Sequence, residues 1–330
     1  MLTIISLFCD KDYQYIPSLL NNFNEKVKCD SEFILVDNRE ENKNISIPEI
    51  GIFFNTHKGK VLTKGKNLGI LLAKKFAVEN ANGKYVWFID DDDWIYETIS
   101  PLLLSECKGD LIAFNLWYAE GHLKRLYRGN HVLNKRFIVD KNIFKNKNYL
   151  NTILPTTWNK WYKRSIIKDI YSQIKEDIWI TCNEDFFLNL NTLNTINSVQ
   201  EIPLNIYVND ASRAISNGEI RNINNFHLLL KGYNDSLKLL NSCNLPSSLY
   251  NASEKIEYDI KFYLGRVTMS DPTLWDSELD TLINVFPNNI LQKVAEYLTV
   301  DFFIEKGIKI NPNNFPMVRI LLFKRLCLKK

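Results

Sequence analysis

The chain has 330 residues, of which 45% are hydrophobic and 24% are charged, as in a globular protein with a large core. The net charge of +3 is unevenly spread: seven basic residues and no acidic one follow Glu305, so the preceding 305 residues carry a charge of −4. The mildly acidic body argues against a nucleic-acid-binding protein, so nucleic acid is not an expected partner, and the basic tail suggests contact with an anionic membrane surface.

The cysteines and the N-terminal segment indicate the compartment. The six cysteines form no CxxC pair and the four histidines are scattered, so no zinc site is predicted. Isolated cysteines favour a reducing compartment. The run from Leu2 to Phe8 lacks a basic start and predicts a strand rather than a signal peptide, and no apolar run approaches the roughly 18 residues of a membrane span. We expect a cytoplasmic protein, with peripheral contact to the cytoplasmic face of the inner membrane as a hypothesis.

The first half of the chain alternates short apolar runs with segments of helical periodicity. Strands are predicted at 3–8, 33–36, 52–54, 85–89, 111–114 and 202–208. Helices are predicted at 15–23 and 67–79. Fully apolar strands separated by helices predict an α/β fold with a mainly parallel sheet covered by helices on both faces.

The second half of the chain is less regular. Residues 124–154 show no clear period and predict a loop or a small subdomain, whereas apolar stripes from Phe226 onward predict helices. The polar stretch 209–225 is the expected boundary. We therefore predict an α/β domain at 1–217 and a helical region with a basic tail at 218–330.

Four consecutive aspartates, Asp90 to Asp93, follow the apolar run 85–89. Ligands of parallel sheets bind beyond the carboxyl ends of the strands, and Asp37 also follows a predicted strand, so these side chains should face one crevice. Adjacent carboxylates repel one another, and either solvent or a divalent cation with oxygen ligands can offset the repulsion. The cluster alone is equally compatible with a solvated acidic turn that caps a helix starting near Trp94.

Five elements along the chain resemble the motifs of glycosyltransferase family 2, in the order in which that family has them. One is its central motif, in which an N-x-G segment, here residues 67–69, leads a helix and is followed by a G-x-Y-(I/V)-x-F-(L/I)-D-x-D-D strand, here residues 81–95. Residues 34–38, 158–164, 183–187 and 202–207 resemble its nucleotide-binding start, its N-K-x-Y-(R/K)-(R/K) and E-D-x-x-F elements, and the segment after them. Over residues 1–217 the resemblance implies a Rossmann-like GT-A fold, a nucleoside-diphosphate-sugar donor and an inverting mechanism.

The resemblance also assigns donor and metal residues. Asp90 and Asp92 match the D-x-D motif, which implies Asp92 and then Asp90 as ligands of Mn²⁺ or Mg²⁺, and Asp90 or Asp91 as the contact to ribose or metal-bound water. The remaining donor-binding positions are Asp37, Asn38, Asn67 and Lys74. Asn38 replaces the second acid of the family's pair, which leaves the base identity open. Lys74 stands where the family often has Arg, so its contact to a diphosphate or base would be less directional.

The resemblance implies catalytic roles for a second acidic pair. Asp185 matches the catalytic base, and Glu184 beside it could bind the acceptor or raise the pKa of Asp185 by repulsion. The alternative is an acidic pair at a helix N-terminus. Candidates for acceptor or phosphate binding are Trp158, Lys160, Trp161 and Arg164, with core packing of the aromatic rings as the alternative.

The function implied by the resemblance is transfer of a hexose or N-acetylhexosamine from a nucleotide-diphospho-sugar, with a UDP-sugar as the expected donor, to a bacterial surface glycan. That acceptor would be lipooligosaccharide, capsule or a lipid-linked oligosaccharide. One alternative is a sugar nucleotidylyltransferase, although residues 8–12 lack the glycines that its loop needs. Another is a nucleotide-sugar-binding scaffold without catalysis, which the intact acidic sets argue against.

Overall fold

A computed structural model of the chain describes residues 1–9, 13–39, 47–120, 125–128, 137–140, 156–175, 184–210, 257, 260–261, 263–265, 267–286, 288–305 and 310–328. The chain divides into two compact units, Met1–Ile215 and Ser216–Lys330. The predicted boundary at 217/218 and the apolar stripe predicted at 228–240 lie outside the described residues, and the assignment of roles to the two domains stays a prediction.

The first unit is built on a mixed sheet of ten strands. In chain order they are β1 (Leu2–Phe8), β2 (Ser31–Asp37), β3 (Gly59–Thr63), β4 (Tyr85–Phe88), β5 (Trp94–Ile95), β6 (Leu111–Glu120), β7 (Arg125–Arg128), β8 (Phe137–Asp140), β9 (Lys160–Lys163) and β10 (Ser198–Asp210). The order across the sheet is β3-β2-β1-β4-β9-β6-β10-β5, with β7 beside β6 and β8 beside β10. Strands β1 to β4, β6 and β10 share one direction, so the sheet is mainly parallel, as predicted.

Helices flank this sheet. They are α1 (Ile16–Lys26), α2 (Pro48–Phe54), α3 (Gly69–Glu79), α4 (Pro101–Glu106), α5 (Arg164–Ser172) and α6 (Glu184–Thr195), after a 3-10 turn at Tyr13–Tyr15. Helix α1 buries the predicted stripe of Ile16, Leu19, Leu20 and Phe23. The strands at the centre of the sheet are buried on both faces, which explains why they are continuous apolar runs in the sequence.

One predicted element was wrong, and several elements were not predicted, among them β3, β5 and β9. The strand predicted at 52–54 is the end of helix α2, which Pro48 starts favourably because its ring fixes φ and its missing N–H needs no partner there. The third strand is instead β3. The alternative of an acidic turn that caps a helix near Trp94 does not hold, because Trp94–Ile95 form strand β5 and α4 begins only at Pro101, after the Ser100 cap. Strand β9 was not predicted.

The register brings the predicted aspartates to one edge. Strand β1 lies between β2 and β4, with Phe8 opposite Asp37 and Ile5 opposite Phe88. Because the three strands are parallel, the residues that follow β2 and β4 emerge at the same, carboxyl, edge. Asp37 and the Asp90–Asp93 turn therefore lie at one edge of the sheet, while the expectation that their side chains face one crevice stays a prediction.

The second unit is helical where it is described, as predicted. Its helices are α7 (Trp275–Val285), α8 (Asn288–Tyr297), α9 (Val300–Glu305) and α10 (Phe315–Leu328), with a 3-10 turn at Pro272–Leu274. Their buried residues, among them Leu279, Val294, Phe303 and Leu322, form one core cluster. Within the described parts of the chain, no helix has both the length and the apolar character needed to cross a membrane.

A buried polar network closes the opposite, amino edge of the sheet. The Thr3 hydroxyl donates to the Glu32 carboxylate over 2.6 Å, and the Gly83 N–H donates to the Thr3 hydroxyl over 2.7 Å. A Cβ on residue 83 would lie 2.5 Å from the Thr3 nitrogen and 2.6 Å from its hydroxyl. Only glycine allows the chain to enter β4 this close to β1.

We predict that Gly83→Ala destabilises the first unit by about 2–4 kcal/mol, because backbone atoms have to move apart. Urea denaturation followed by circular dichroism measures this. The matched control is Gly51→Ala in α2, where an added Cβ meets no atom within 4 Å and helix propensity should keep or raise stability by up to about 1 kcal/mol. Equal denaturation midpoints for the two variants would contradict the prediction.

Candidate active site

The turn after β4 is fixed by strand β10. The Asp90 N–H donates to the Tyr207 hydroxyl over 3.3 Å. Asp93 is buried, and its carboxylate accepts hydrogen bonds from the Tyr207 hydroxyl and, over 3.0 Å, from the Asn209 amide. Asp93 therefore ties the turn to β10 and caps no helix. The other aspartates of the turn project from a backbone that is held in place.

Asp90 and Asp92 provide oxygen donors that suit a divalent cation. Burial raises the pKa of Asp90 well above its ordinary value, as do the nearby charges of Asp93, Asp185 and Asp92, and Lys74 only partly compensates. Such crowding of carboxylates is what a bound cation would relieve. In the described ranges no group of three or more potential metal-binding side chains is gathered, so a cation here would need further ligands from the donor diphosphate or from water.

The end of β2 carries the remaining donor-site candidates. Asp37 forms a bidentate ion pair with Arg39, whose Nε and Nη2 lie 2.8 and 2.6 Å from the two carboxylate oxygens. The amide of Asn38 is buried, donates to Asn67 Oδ1 over 3.1 Å, and accepts from the Leu68 N–H over 2.8 Å. Asn38 and Asn67 are thus brought together, and their contacts fix the start of α3.

The Glu184–Asp185 pair occupies the first turn of α6 and forms ion pairs with a buried lysine. Lys74 Nζ lies 3.2 Å from Glu184 Oε1 and 3.1 Å from Asp185 Oδ1, and the lysine side chain is 3% exposed. The Thr157 hydroxyl donates to Asp185 Oδ1 over 2.7 Å, and the Thr157 N–H donates to Oδ2 over 3.3 Å. Asp185 is therefore held by contacts from two other segments of the chain.

These contacts and burial shift the pKa values of the two acids in opposite directions. Burial raises the pKa of Asp185, but Lys74 and the Thr157 hydroxyl outweigh it, and the pKa of Asp185 is lowered overall. Burial, together with the charge of Asp185, raises the pKa of Glu184 to about 7 despite Lys74. Near neutral pH Asp185 is therefore an ionised carboxylate, while Glu184 exchanges a proton. An ionised carboxylate is what a general base requires.

The four candidates for acceptor binding lie in different environments. Trp161 is fully buried between Trp87 and Phe114, which favours core packing for it. Lys160 is buried as well; its Nζ donates to the Thr156 carbonyl and to Asn159 Oδ1, and burial lowers the pKa of Lys160 to about 7 although Asp185 raises it.

The other two candidates are less deeply placed. Trp158 is half-buried and stacks on Tyr207 with 5.8 Å between ring centroids. Arg164 donates to the carbonyl oxygens of Gly83 and Ala81 over 2.9 and 3.2 Å. Trp158 thus stands beside the aspartate turn, while Arg164 supports the amino edge of β4.

The structure brings the aspartate turn and the acidic pair into one electrostatic site, because the charges of Asp185 and Lys74 act on Asp90. Four residues of this site were not predicted from the sequence: Arg39, Thr157, Tyr207 and Asn209. Arg39 follows Asp37-Asn38 directly and could have been noticed as a charge partner. Thr157 and Tyr207 are found only through the fold, since their partners lie 28 and 114 positions away.

The family model described as Glycosyl transferase family 2 matches residues 3–171. No curated protein matches the chain. Among solved structures, S. aureus TarS 1–349 in complex with UDP-GlcNAc has a TM-score of 0.63 at 15% identity, over 96% of this chain and 90% of that one. The complex of the same protein with UDP has a TM-score of 0.61 at 16% identity over the same shares.

A longer S. aureus TarS structure also matches, with a TM-score of 0.61 at 14% identity over 96% of this chain. The chain spans 54% of the length of that TarS structure. At these identities the likeness concerns the fold. Together with the family match it confirms the expected GT-A fold, with its mixed sheet flanked by helices.

Proposed function

The chain belongs to glycosyl transferase family 2, and from that premise we propose that it is an inverting enzyme that transfers a hexose or N-acetylhexosamine from a UDP-sugar. The proposed acceptor is a hydroxyl of a bacterial surface glycan, such as lipooligosaccharide, capsule or a lipid-linked oligosaccharide. Family membership argues against the sugar nucleotidylyltransferase alternative. The complexes of the fold neighbour TarS with UDP and UDP-GlcNAc support the choice of a UDP-linked donor.

One observation carries the proposal: the Asp185 carboxylate is held by Lys74 Nζ at 3.1 Å and by the Thr157 hydroxyl at 2.7 Å, and its charge acts on Asp90 in the aspartate turn. Inverting transfer needs a base on the acceptor side and charge compensation on the diphosphate side. The first unit offers both at one edge of its sheet. A scaffold that only binds nucleotide sugars would not need the buried Lys74–Asp185 pair.

The chemistry follows from this arrangement. Asp185 accepts the proton of the acceptor hydroxyl as its oxygen forms a bond to the anomeric carbon. The bond from that carbon to the diphosphate oxygen breaks on the opposite face, and the nucleoside diphosphate leaves with the electron pair. The anomeric configuration is thereby inverted. Asp185 then releases the proton to solvent, which completes the cycle.

We propose Asp92, with Asp90, as the residues that hold Mn²⁺ or Mg²⁺. When bound, the ion neutralises negative charge that develops on the leaving diphosphate. Asp91, Asp37 and Asn67 are proposed to contact or shape the donor, and the buried amide of Asn38 to fix the loop that starts α3. Trp158 is the proposed aromatic surface for a sugar ring, because it lies beside the aspartate turn and is only partly buried.

We propose a cytoplasmic enzyme with peripheral membrane contact through α10. In the described part of this helix, Arg325 pairs with Asp276 and Asp280, and Arg319 donates to the carbonyls of Ala295 and Glu296. The surface that supports contact is therefore apolar and lysine-containing: Ile320 and Leu328 are exposed, and Lys324 lies between them. Basic and apolar side chains together suit an anionic lipid surface.

We predict that Asp185→Asn abolishes transfer, by about 10³-fold or more in kcat, because the amide cannot accept the proton. Donor binding, measured as thermal stabilisation by UDP-sugars with Mn²⁺, should be retained. A panel of UDP-sugars identifies the donor in the same assay. An active Asp185→Asn enzyme would refute the base assignment, and a wild-type protein that binds donors without hydrolysis or transfer would indicate the scaffold.

We predict that Asp92→Asn lowers metal-dependent activity by about 10²-fold, because one charged oxygen ligand is lost. Titration of activity with Mn²⁺ in the wild type and the variant checks this. The expected signature is a higher Mn²⁺ requirement for Asp92→Asn. Wild-type activity that is unaffected by EDTA would contradict a metal requirement.

We predict that the double substitution Ile320→Glu and Leu328→Glu reduces sedimentation with vesicles of phosphatidylglycerol by about tenfold, since burial of two large side chains is lost and two like charges are added. Point variants are preferable to removal of the tail, because α10 also contributes Val318 and Leu322 to the core. The control is Leu102→Glu in α4, another exposed leucine. Equal vesicle binding by all proteins would reject membrane contact through α10.

A further inference from the structure

We propose that Lys74 is a positioning residue for the transfer reaction. Its buried amine holds Glu184 and Asp185 in place and does not contact the donor. The inference rests on the proposed function and changes the role that the sequence resemblance implies for this residue. Its basis is the location of the amine, the shielding of its side chain and the contacts of helix α3.

The amine of Lys74 is already engaged. Its Nζ lies within hydrogen-bond distance of both carboxylates, and its charge lies 5.2 Å from the centroid of the Phe88 ring. An ammonium group has three N–H donors, and two of them are used by the acidic pair. With a side chain that is 3% exposed, the amine would have to leave both acids before it could reach a diphosphate.

Two adjacent carboxylates that are mostly withdrawn from solvent need such a cation. Glu184 and Asp185 side chains are 12% and 15% exposed. Without Lys74, burial and mutual repulsion would favour protonation of both groups. Despite its burial the amine stays charged, because Asp185 and Glu184 raise the pKa of Lys74 well above its ordinary value.

Other groups also face this pair and contribute to its ionisation. They are Thr157 before β9, Lys160 and Tyr162 in β9, Tyr171 in α5 and Asp90 after β4. Among the cations, Lys74 forms the described ion pairs with the acids, while Lys160 Nζ donates to Thr156 and Asn159. Loss of Lys74 should therefore change the pKa of Asp185 more than loss of any neighbouring amine would.

Helix α3 connects this lysine to the donor edge. Its first residue, Gly69, has φ +70° and donates its N–H to Asn67 Oδ1 over 2.8 Å, and Asn67 in turn accepts from Asn38 at the end of β2. Lys74 lies five residues further along α3. The helix therefore joins the donor edge, at its start, to the base, at its second turn.

The test compares Lys74→Met, Lys74→Arg and the control Lys75→Met, with activity measured as a function of pH. Lys75 is the next residue on α3, and its Nζ donates to the Ile174 carbonyl over 2.8 Å, away from the acids. In Lys74→Met we expect kcat/KM at pH 7 to fall about 10- to 100-fold and the acid limb of the profile to move up by about one pH unit, because Asp185 is protonated more readily. Stabilisation by UDP should change less than about threefold, and Lys74→Arg should restore part of the rate and the original limb.

The opposite pattern would overturn the proposal. Loss of UDP stabilisation in Lys74→Met, with an unchanged acid limb, would indicate a donor contact instead. Should Lys74→Met fold poorly, Lys74→Gln provides a milder change, since it removes the charge and keeps a polar side chain. It should move the acid limb in the same direction, and an unmoved limb would count against positioning.

A readout without catalysis separates this proposal from the proposed function. In a double-mutant cycle of urea midpoints, Lys74→Met and Asp185→Asn should be non-additive, because each removes a partner of the other. If no donor is turned over by the wild type, the proposed function fails, and the cycle still tests the Lys74–Asp185 interaction. Additive effects would refute the pairing itself.

Discussion

The repulsion among carboxylates gathered at one sheet edge is the constraint on which this site depends. Parallel strands place Asp37 and the aspartate turn, which follow β2 and β4, at the same edge, and the charge of Asp185 in the first turn of α6 acts on Asp90 in that turn. The described partners differ from group to group: Arg39 pairs with Asp37, Tyr207 and Asn209 bind Asp93, and Lys74 pairs with Glu184 and Asp185. Because the partners differ, the carboxylates can have different roles even though Asp90, Glu184 and Asp185 influence one another's pKa.

Because of these partners, some of the acids stabilise the fold while others remain able to bind a cation or accept a proton. Asp93 is 1% exposed and is used to fix the turn, so it has little freedom to bind a ligand. Asp90 in the same turn has a raised pKa, which burial and neighbouring acids cause, and a cation would stabilise its charged form. Asp185 has a lowered pKa through Lys74 and Thr157. The turn therefore favours binding of positive charge, whereas Asp185 stays ionised near neutral pH and is available as a base.

The sequence predicted the central strands because strands buried on both faces are continuous apolar runs. It failed where a short apolar run is compatible with two structures: Ile52 to Phe54 suits a strand or the last turn of a helix, and Pro48 decided for the helix. Strand β9 contains lysine at both ends, which masks its burial. The role of Lys74 could not be read at all, since its partners are 110 and 111 positions away and only the packing of α3 on α5 and of α5 on α6 brings them close.

The choice of lysine at position 74 has a physical reason that the sequence pattern obscured. As a donor contact, its point charge is less directional than the fork of arginine. Next to two carboxylates a point charge is an advantage, because a single nitrogen can lie 3.1 and 3.2 Å from oxygens of two different residues. A guanidinium group is planar and matches one carboxylate in bidentate fashion, as Arg39 does with Asp37. The arginine, Arg39, thus pairs with the single acid at the donor edge, Asp37. The lysine, Lys74, pairs with the two adjacent acids, Glu184 and Asp185.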